Sequence, residues 1–369
     1  MKRIYKAMEI LGVCYLIGSM VAEPEECVAA AKDALRLCAE VVVPSLFPFF
    51  VCSNLLIGLG GAELLSRYLS PLMRPLFGIS GSGALAVVLG VVSGYPVGAD
   101  CVATLYASGG CTKTEAERML TFCNNSGPLF VIGAVGIGML HNPKLGGLLY
   151  GVHLLSALLT GVLFRKFGKE EHTPKALLPA YPTRPVAAIG NAVADGISSV
   201  LKVCGFVVAF AVVISVMPKW QGSPFLYALL EITGGLKSLL EQGVLGRFLL
   251  PMVSMFLAFS GISVMMQVVT IIQPAGLSLK PYLLGKLVHG IIAFLLTGPV
   301  LGFFPQTQEV SVTMPMSVPT ITPKAMLVIS ALSLVWCLVF LALLTSAVWL
   351  SERKNSRHRR ESELFFPRD

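Results

Sequence analysis

Residues 93–100 read SGYPVGAD and interrupt a long apolar run that begins near residue 83. Two glycines and a proline fall within five positions here: Gly94, Pro96 and Gly98. Proline removes a backbone donor and glycine favours non-helical conformations, so a regular helix cannot continue through this stretch. Inside a bilayer each unpaired backbone N–H or C=O costs several kcal/mol, and a break survives only where it contacts protein or borders a cavity. The stretch therefore predicts a membrane helix that is broken in its middle.

The composition around this break is that of a membrane protein. Of the 369 residues, 55% are hydrophobic and 13% are charged, against roughly 25% charged in a typical soluble domain. The apolar residues form several long runs, which predicts an all-α, polytopic protein of the lipid bilayer. The net charge of +8 is concentrated at the two ends and in one central loop. We attribute it to membrane topology and expect no nucleic-acid binding, because basic residues without aromatic residues on the same face do not read nucleic acid.

Basic residues indicate which loops face the cytoplasm. The loop after Arg165 and the tail after Arg353 are rich in Lys and Arg, whereas the loop 305–323 contains neither. The positive-inside rule then predicts that both termini are cytoplasmic and that the loop 305–323 is external. Whether the first apolar segment is a cleaved signal stays open. The predicted division is 1–28, an N-terminal span or signal-anchor; 29–165, a first repeat; 166–187, a cytoplasmic loop; 188–304, a second repeat; 305–323, the external loop; 324–350, a last transmembrane helix; and 351–369, a basic cytoplasmic tail.

The two halves of the chain share a pattern when the sequence is shifted by 167 residues. Ser93-Gly94 then aligns with Ser260-Gly261, and Gly109 aligns with Gly276. Both copies have an apolar run, a Ser-Gly break, a short helix, a glycine-containing turn and another helix. The first half is predicted to start outside and end inside, and the second half the reverse, so the repeats are predicted to be inverted.

A second polar interruption reads NNSGP, residues 124–128, with apolar residues on both sides. Asn and Ser offer donors and acceptors without the cost of a permanent charge, and the N-terminus of a following half-helix adds a partial positive charge. Such groups could hold an anionic or carbonyl-rich solute. The alternative is a proline kink in which these side chains only repair the backbone. In the second half, Ser263 and Gln267 follow the corresponding break.

Titratable residues at membrane depth are few. Asp100 follows the first break and either binds a coupling cation or proton, or lies at the membrane interface. His153 and His289 lie in apolar segments, where we expect packing residues and not a proton relay. Lys286 is isolated in an apolar segment, and long lysine side chains near the ends of spans often reach toward the membrane surface.

Catalytic and metal-binding motifs are absent from the sequence. It contains no HExxH, Walker A, GxSxG or CxxC motif, and its nine cysteines are scattered singly. We therefore predict that the protein is not an enzyme and has no cofactor or metal, and that the cysteines pack as small apolar residues.

Three strings of the sequence resemble one known family. They are LGVVSGYPVGAD at residues 89–100, TKTEAERMLTFCNNSGPLFVIGAVGIGML at 112–140 and FSGISVMMQV at 259–268. They look like the sporulation integral membrane protein YlbJ family, whose members carry nucleoside recognition or Gate domains. The resemblance covers about residues 30–300 in order, and the NNSGP string with its flanks is its most specific part.

The resemblance implies two Gate repeats related to those of concentrative nucleoside transporters, spore maturation proteins and the FeoB iron transporter. It implies a protein of the outer forespore membrane of an endospore-forming bacterium, which moves dipicolinate from the mother cell toward the forespore. Two alternatives stay open, a transporter of nucleoside-type solutes and a membrane scaffold for spore maturation that transports nothing. The residues predicted to bind the solute are Ser93, Gly94, Tyr95, Pro96, Asn124, Asn125, Ser126, Gly127, Ser260, Gly261, Ser263 and Gln267, with Asp100 as a possible coupling residue.

Overall fold

The computed structural model describes residues 2–59, 61–168, 185–217, 223–242 and 246–304. These residues form helices and no strands, which confirms the all-α prediction. The predicted external loop, last transmembrane helix and basic tail lie outside the described residues, as does most of the cytoplasmic loop. The α-helices are α1 Lys2–Ala22, α2 Pro24–Leu37, α3 Val43–Gly58, α4 Gly61–Phe77, α5 Ala84–Val92, α6 Val97–Ala107, α7 Lys113–Leu120, α8 Pro143–Phe164, α9 Pro185–Ser215, α10 Ser223–Leu230, α11 Ile232–Gln242, α12 Leu249–Phe259, α13 Gly261–Ile272 and α14 Leu279–Phe303.

Several helices are long and apolar enough to cross a membrane, which confirms the polytopic prediction. Leu201 on α9 and Leu295 on α14 are each 63% exposed, and exposed apolar surface on such helices suits contact with lipid. The stretch around Arg74 belongs to a pair of helices bent by 97°. The candidate spans are Pro143–Phe164, Ile189–Ser215, Gly246–Ile272 and Leu279–Phe303, with Ser66–Phe77 and Gly81–Val92 as the bent pair.

The two halves have the same order of elements. In the first half α5 ends before Ser93, α6 follows the break and α7 follows a turn; α12, α13 and α14 have this order in the second half. Gly94 and Gly109 have φ values of +86° and +76°, and Gly261 and Gly276 have values of +74° and +73°. Left-handed glycines therefore recur at the spacing found in the sequence, which supports a repeat. The inverted orientation of the halves stays a prediction.

The second half also contains a break that the sequence analysis did not identify. Helix α10 ends at Leu230 and α11 begins at Ile232, with Glu231 between them. A Cβ atom on Gly235 would collide with the backbone of Ala228, so the two helices approach closely. They form a helical hairpin with Glu231 at its tip.

The NNSGP interruption likewise separates two helical elements. Helix α7 starts with a capping box, in which Thr112 Oγ1 accepts from the N–H of Glu115 and the Glu115 carboxylate accepts from the N–H of Thr112. Residues 121–127 are not helical, and a π-helical segment, Leu129–Met139, follows. The polar tip therefore connects α7 to the π-helical segment.

Arg118, a buried residue of α7, joins the ends of two further helices. Its Nε donates to the carbonyl of Phe167, just after α8, and its Nη1 donates to the carbonyl of Gly78, just after α4, both at 2.6 Å. The residue is 5% exposed. These charge-assisted bonds connect α7 to the residues that follow α4 and α8.

Candidate functional site

The first break and the NNSGP interruption are in direct contact. Gly94 has a φ of +86°, a conformation that residues with a Cβ rarely adopt. A Cβ on Gly94 would lie 2.6 Å from the backbone N of Gly127 and 2.8 Å from its Cα. A Cβ on Gly127 would lie 2.9 Å from the carbonyl O of Ser93. Glycine at both positions therefore allows the backbone of residues 93–94 to touch the backbone of Gly127.

The break in the second half lies between α12 and α13. Ser260 and Gly261 both have left-handed φ values, +75° and +74°, and the helix is interrupted there. The Cβ position of Gly261 lies 3.4 Å from the carbonyl O of Leu229 and 3.4 Å from the N of Ile232. The second break therefore packs against the tip of the α10–α11 hairpin.

A cavity of about 120 Å³ lies between the two broken helices, and its wall is mainly apolar. The Oγ atoms of Ser93 and Ser263 and the Oε1 atom of Gln267 are buried, and they have no hydrogen-bond partner among the described residues. All three residues line the cavity. A buried polar atom without a partner costs about 1–3 kcal/mol. Three of them around one cavity are typical of a site that binds a polar ligand.

Half of the predicted solute-binding residues line this cavity. Both halves of the chain contribute to the wall. Their part in binding a solute stays a prediction. On the wall are Ser93, Gly94, Tyr95, Gly127, Ser263 and Gln267; outside it are Pro96, Asn124, Asn125, Ser126, Ser260 and Gly261.

The polar side chains of the NNSGP interruption are buried beside the cavity. The Nδ2 of Asn124 donates to the Tyr282 hydroxyl at 3.2 Å, and the Nδ2 of Asn125 donates to the Phe122 carbonyl at 2.8 Å. Ser126 Oγ donates to the Leu257 carbonyl at 2.9 Å. These bonds fit the alternative in which Asn and Ser stabilise an irregular backbone. The Oδ1 atoms of both asparagines nevertheless have no partner among the described residues.

Comparison with known proteins decides the family. A family model described as nucleoside recognition, Gate, matches residues 39–143, which include the first break and the NNSGP interruption. A curated protein, sporulation integral membrane protein YlbJ of Bacillus subtilis (strain 168), is 33% identical over 320 residues, which cover 76% of this chain and 78% of that protein. The chain belongs to the YlbJ family. No solved structure matches it.

Glu231 is a wall residue of this YlbJ-family protein that the sequence analysis missed. It lies at the hairpin tip, is 8% exposed and lines the cavity. Its Oε1 accepts from the N–H of Thr233 at 2.9 Å, and its Oε2 accepts from the N–H of Gly234 at 2.7 Å. The carboxylate thus caps the start of α11. A single acidic residue inside an apolar segment and close to two glycines was the signal that could have revealed it.

Asp100 does not line the cavity. It lies in the first turn of α6 and is half-buried. Its role in coupling stays a prediction. Among the described residues, no three His, Cys, Asp or Glu side chains are grouped as metal ligands would be, and the cysteines there are free.

Three basic side chains are buried next to the NNSGP interruption. Lys286 Nζ donates to the carbonyl O of Asn124 at 2.9 Å, and the N–H of Ser126 donates to Nε2 of His153 at 3.0 Å. Nε2 of His289 lies 3.0 Å from the carbonyl O of His153. The sequence predicted packing roles for both histidines, and it did not indicate that His153 and Lys286 bind the same interruption.

Proposed function

We propose that this membrane protein transports a small polar or anionic solute through the cavity between its two broken helices. We propose further that the solute is dipicolinate and that it moves from the mother cell toward the forespore. One observation carries the proposal: three residues from the two halves of the chain line one cavity, and each has a buried polar atom without a hydrogen-bond partner among the described residues. A scaffold that transports nothing would gain nothing from them, because each unpaired atom lowers the stability of the folded protein.

The broken helices offer a way to open the cavity on either side of the membrane. Backbone breaks at glycine can absorb the changes of dihedral angle that accompany gating. Gly94 and Gly261 occupy equivalent places at the two breaks. In transporters built from inverted repeats, the two halves exchange conformations around a site of this kind.

The cavity suits a small, flat solute. Its volume of about 120 Å³ is below the roughly 300–1,000 Å³ of most ligand sites, which favours a solute with one substituted ring over a nucleoside with two. Dipicolinate is a pyridine ring with two carboxylates. Hydroxyls of Ser93 and Ser263 and the amide of Gln267 can donate to carboxylates, and apolar neighbours such as Val203 and Val207 can contact the ring.

Glu231 supports a second candidate, a nucleoside-type solute. A carboxylate on the cavity wall repels an anion but accepts hydrogen bonds from sugar hydroxyls. The description of the matching family model, nucleoside recognition, agrees with this alternative.

Uptake by the purified full-length protein in liposomes tests the proposal. Radiolabelled dipicolinate and uridine are offered separately. If Ser263 binds the solute, Ser263→Ala loses a hydrogen bond to a charged group, about 1.5–3 kcal/mol, and uptake at low solute concentration falls by roughly 10–100-fold. Ser254→Ala is the matched control, because Ser254 Oγ is also buried without a described partner but lies off the cavity wall. Uptake of uridine alone would favour the second candidate, and uptake of neither would favour the scaffold.

We also propose that the protein lies in the outer forespore membrane with both termini in the cytoplasm. The basic residues of the central loop and the tail support this orientation. Reporter fusions after residue 369 check the C-terminal orientation: a cytoplasmic fluorescent reporter should be active and an exported phosphatase should be inactive. The opposite pattern contradicts the topology and leaves the transport proposal intact.

A further inference from the structure

Three basic side chains are buried together at the NNSGP interruption. Lys286 and His289 lie three residues apart on α14, and His153 lies on α8. Lys286 is 1% exposed, and both histidines are fully buried. Such groups are rare in membrane interiors because a buried charge is costly, and where they occur they usually serve function.

The hydrogen bonds define which atoms carry protons. The N–H of Ser126 donates to Nε2 of His153, so this nitrogen has no proton and the ring proton is on Nδ1. The carbonyl of His153 can only accept, so Nε2 of His289 donates to it. The two rings lie 4.7 Å apart between centroids, and their Nδ1 atoms have no partner among the described residues. This arrangement fits two neutral histidines beside one lysine.

The positive charge of Lys286 has very little compensation. Among the described residues its ammonium has one hydrogen-bond partner, the carbonyl of Asn124, and no carboxylate within salt-bridge distance. Helices α12 and α13, which pack against α14, contain no acidic or basic residue. Among the side chains that the structure describes on helices α4, α7, α8 and α14, the other titratable groups are bonded elsewhere or exposed. The bonded ones are Arg118 to the Gly78 and Phe167 carbonyls, Glu115 at the α7 cap, Glu117 to the Ser278 N–H, Tyr150 to the Val91 carbonyl and Tyr282 to Asn124. The exposed ones are Arg67, Tyr68, Arg74, Lys113, Lys144 and Lys280.

We propose that Lys286 binds and releases a single proton, with His153 and His289 as neutral neighbours, and that this proton site is coupled to solute movement through the cavity. The inference rests on the transport proposed above. The His153 and His289 rings lie 4.7 Å apart between centroids, and Lys286 is an i,i+3 neighbour of His289 on α14. Like charges at such positions repel strongly at low dielectric, so a positive charge on Lys286 keeps both histidines neutral. The ligand of the site is therefore one proton.

The coupling runs through the backbone between the proton site and the cavity. Lys286 and His153 hold the backbone of Asn124 and Ser126, and the next residue, Gly127, is on the cavity wall against Gly94. A hydrogen bond from an ammonium is stronger than one from a neutral amine. Loss of the proton from Lys286 therefore loosens its hold on Asn124 and on the wall segment that follows.

Two substitutions fix the charge of the site in opposite states. Lys286→Met is never charged, whereas Lys286→Arg is always charged because a guanidinium is not deprotonated in proteins. In proteoliposomes assayed over a pH series, wild-type uptake of dipicolinate or uridine should vary with pH, and both variants should lose that variation. Lys280→Met, at an exposed position on the same helix, should keep the wild-type profile. A wild-type profile in both Lys286 variants overturns the proposal.

Two further readouts keep the test decisive. The first is a pH dye inside wild-type liposomes, which should report proton movement when a dipicolinate or uridine gradient drives flux; solute flux without proton movement overturns the proposal, even if the variants do not fold. The second needs no transport: in detergent without solute, the difference in thermal midpoint between wild type and Lys286→Met should change with pH, because a titrating group links stability to pH. A constant difference means that Lys286 keeps one charge state. Absence of any flux in the wild type, with a pH-dependent difference, instead refutes transport and leaves the proton site standing.

Discussion

The contact between the first break and the NNSGP interruption predicts a large effect of Gly94→Ala. Two costs add at this position. A left-handed residue with a Cβ costs about 1–2 kcal/mol. The new Cβ would also lie 2.6 Å from the N and 2.8 Å from the Cα of Gly127, and overpacking against backbone costs typically about 1–3 kcal/mol more. The expected loss of stability is therefore about 2–5 kcal/mol.

Gly109→Ala is a matched control that separates the two costs. Gly109 has a similar φ, +76°, but nothing lies within 4 Å of its Cβ position. It should lose only the conformational part, about 1–2 kcal/mol. The assay is the thermal unfolding midpoint of each purified variant in detergent, with wild type alongside. Gly94→Ala should unfold well below Gly109→Ala; equal midpoints would refute the close contact between Gly94 and Gly127.

Three further predictions concern other parts of the site and its support. Thr112→Ala removes the capping box of α7 and should cost about 1 kcal/mol; an unchanged midpoint would show that the cap does not stabilise the helix. Arg118→Met removes two short charge-assisted bonds to carbonyls and should destabilise the protein by about 3 kcal/mol or more, which a shift below 1 kcal/mol would contradict. Glu231→Gln removes a negative charge from the cavity wall, so it should raise uptake of dipicolinate and lower uptake of uridine in liposomes; equal changes for both solutes would mean that the carboxylate does not contact the solute.

The helical architecture and the breaks could be predicted because they depend on local chemistry. Glycine and proline in SGYPVGAD prevent a regular helix whatever surrounds them, and the structure has its break there. The left-handed glycines Gly94 and Gly261 follow from the same local preference. Two glycines that align when the sequence is shifted by 167 residues therefore have the same backbone conformation.

The residues that line the cavity could be predicted only in part, because the lining depends on contacts between residues that are distant in the sequence. Asn124, a predicted solute-binding residue, lies off the cavity wall, and Tyr282 and Lys286, from α14, bind its side chain and carbonyl. No local pattern reveals such partners. The position of Glu231 on the cavity wall could not be predicted for a related reason. It results from packing of the α10–α11 hairpin against Gly261.

Protection of an introduced thiol by the solute tests whether the cavity is the binding site. In a background without the nine native cysteines, Ser263→Cys places a thiol on the cavity wall and Ser254→Cys places one in α12 away from it. The rate of alkylation is measured with and without saturating dipicolinate, and again with uridine. We predict that one of the two solutes slows alkylation at position 263 and leaves position 254 unchanged. Alkylation of Ser263→Cys at the same rate with either solute as without would contradict a solute site between the two broken helices.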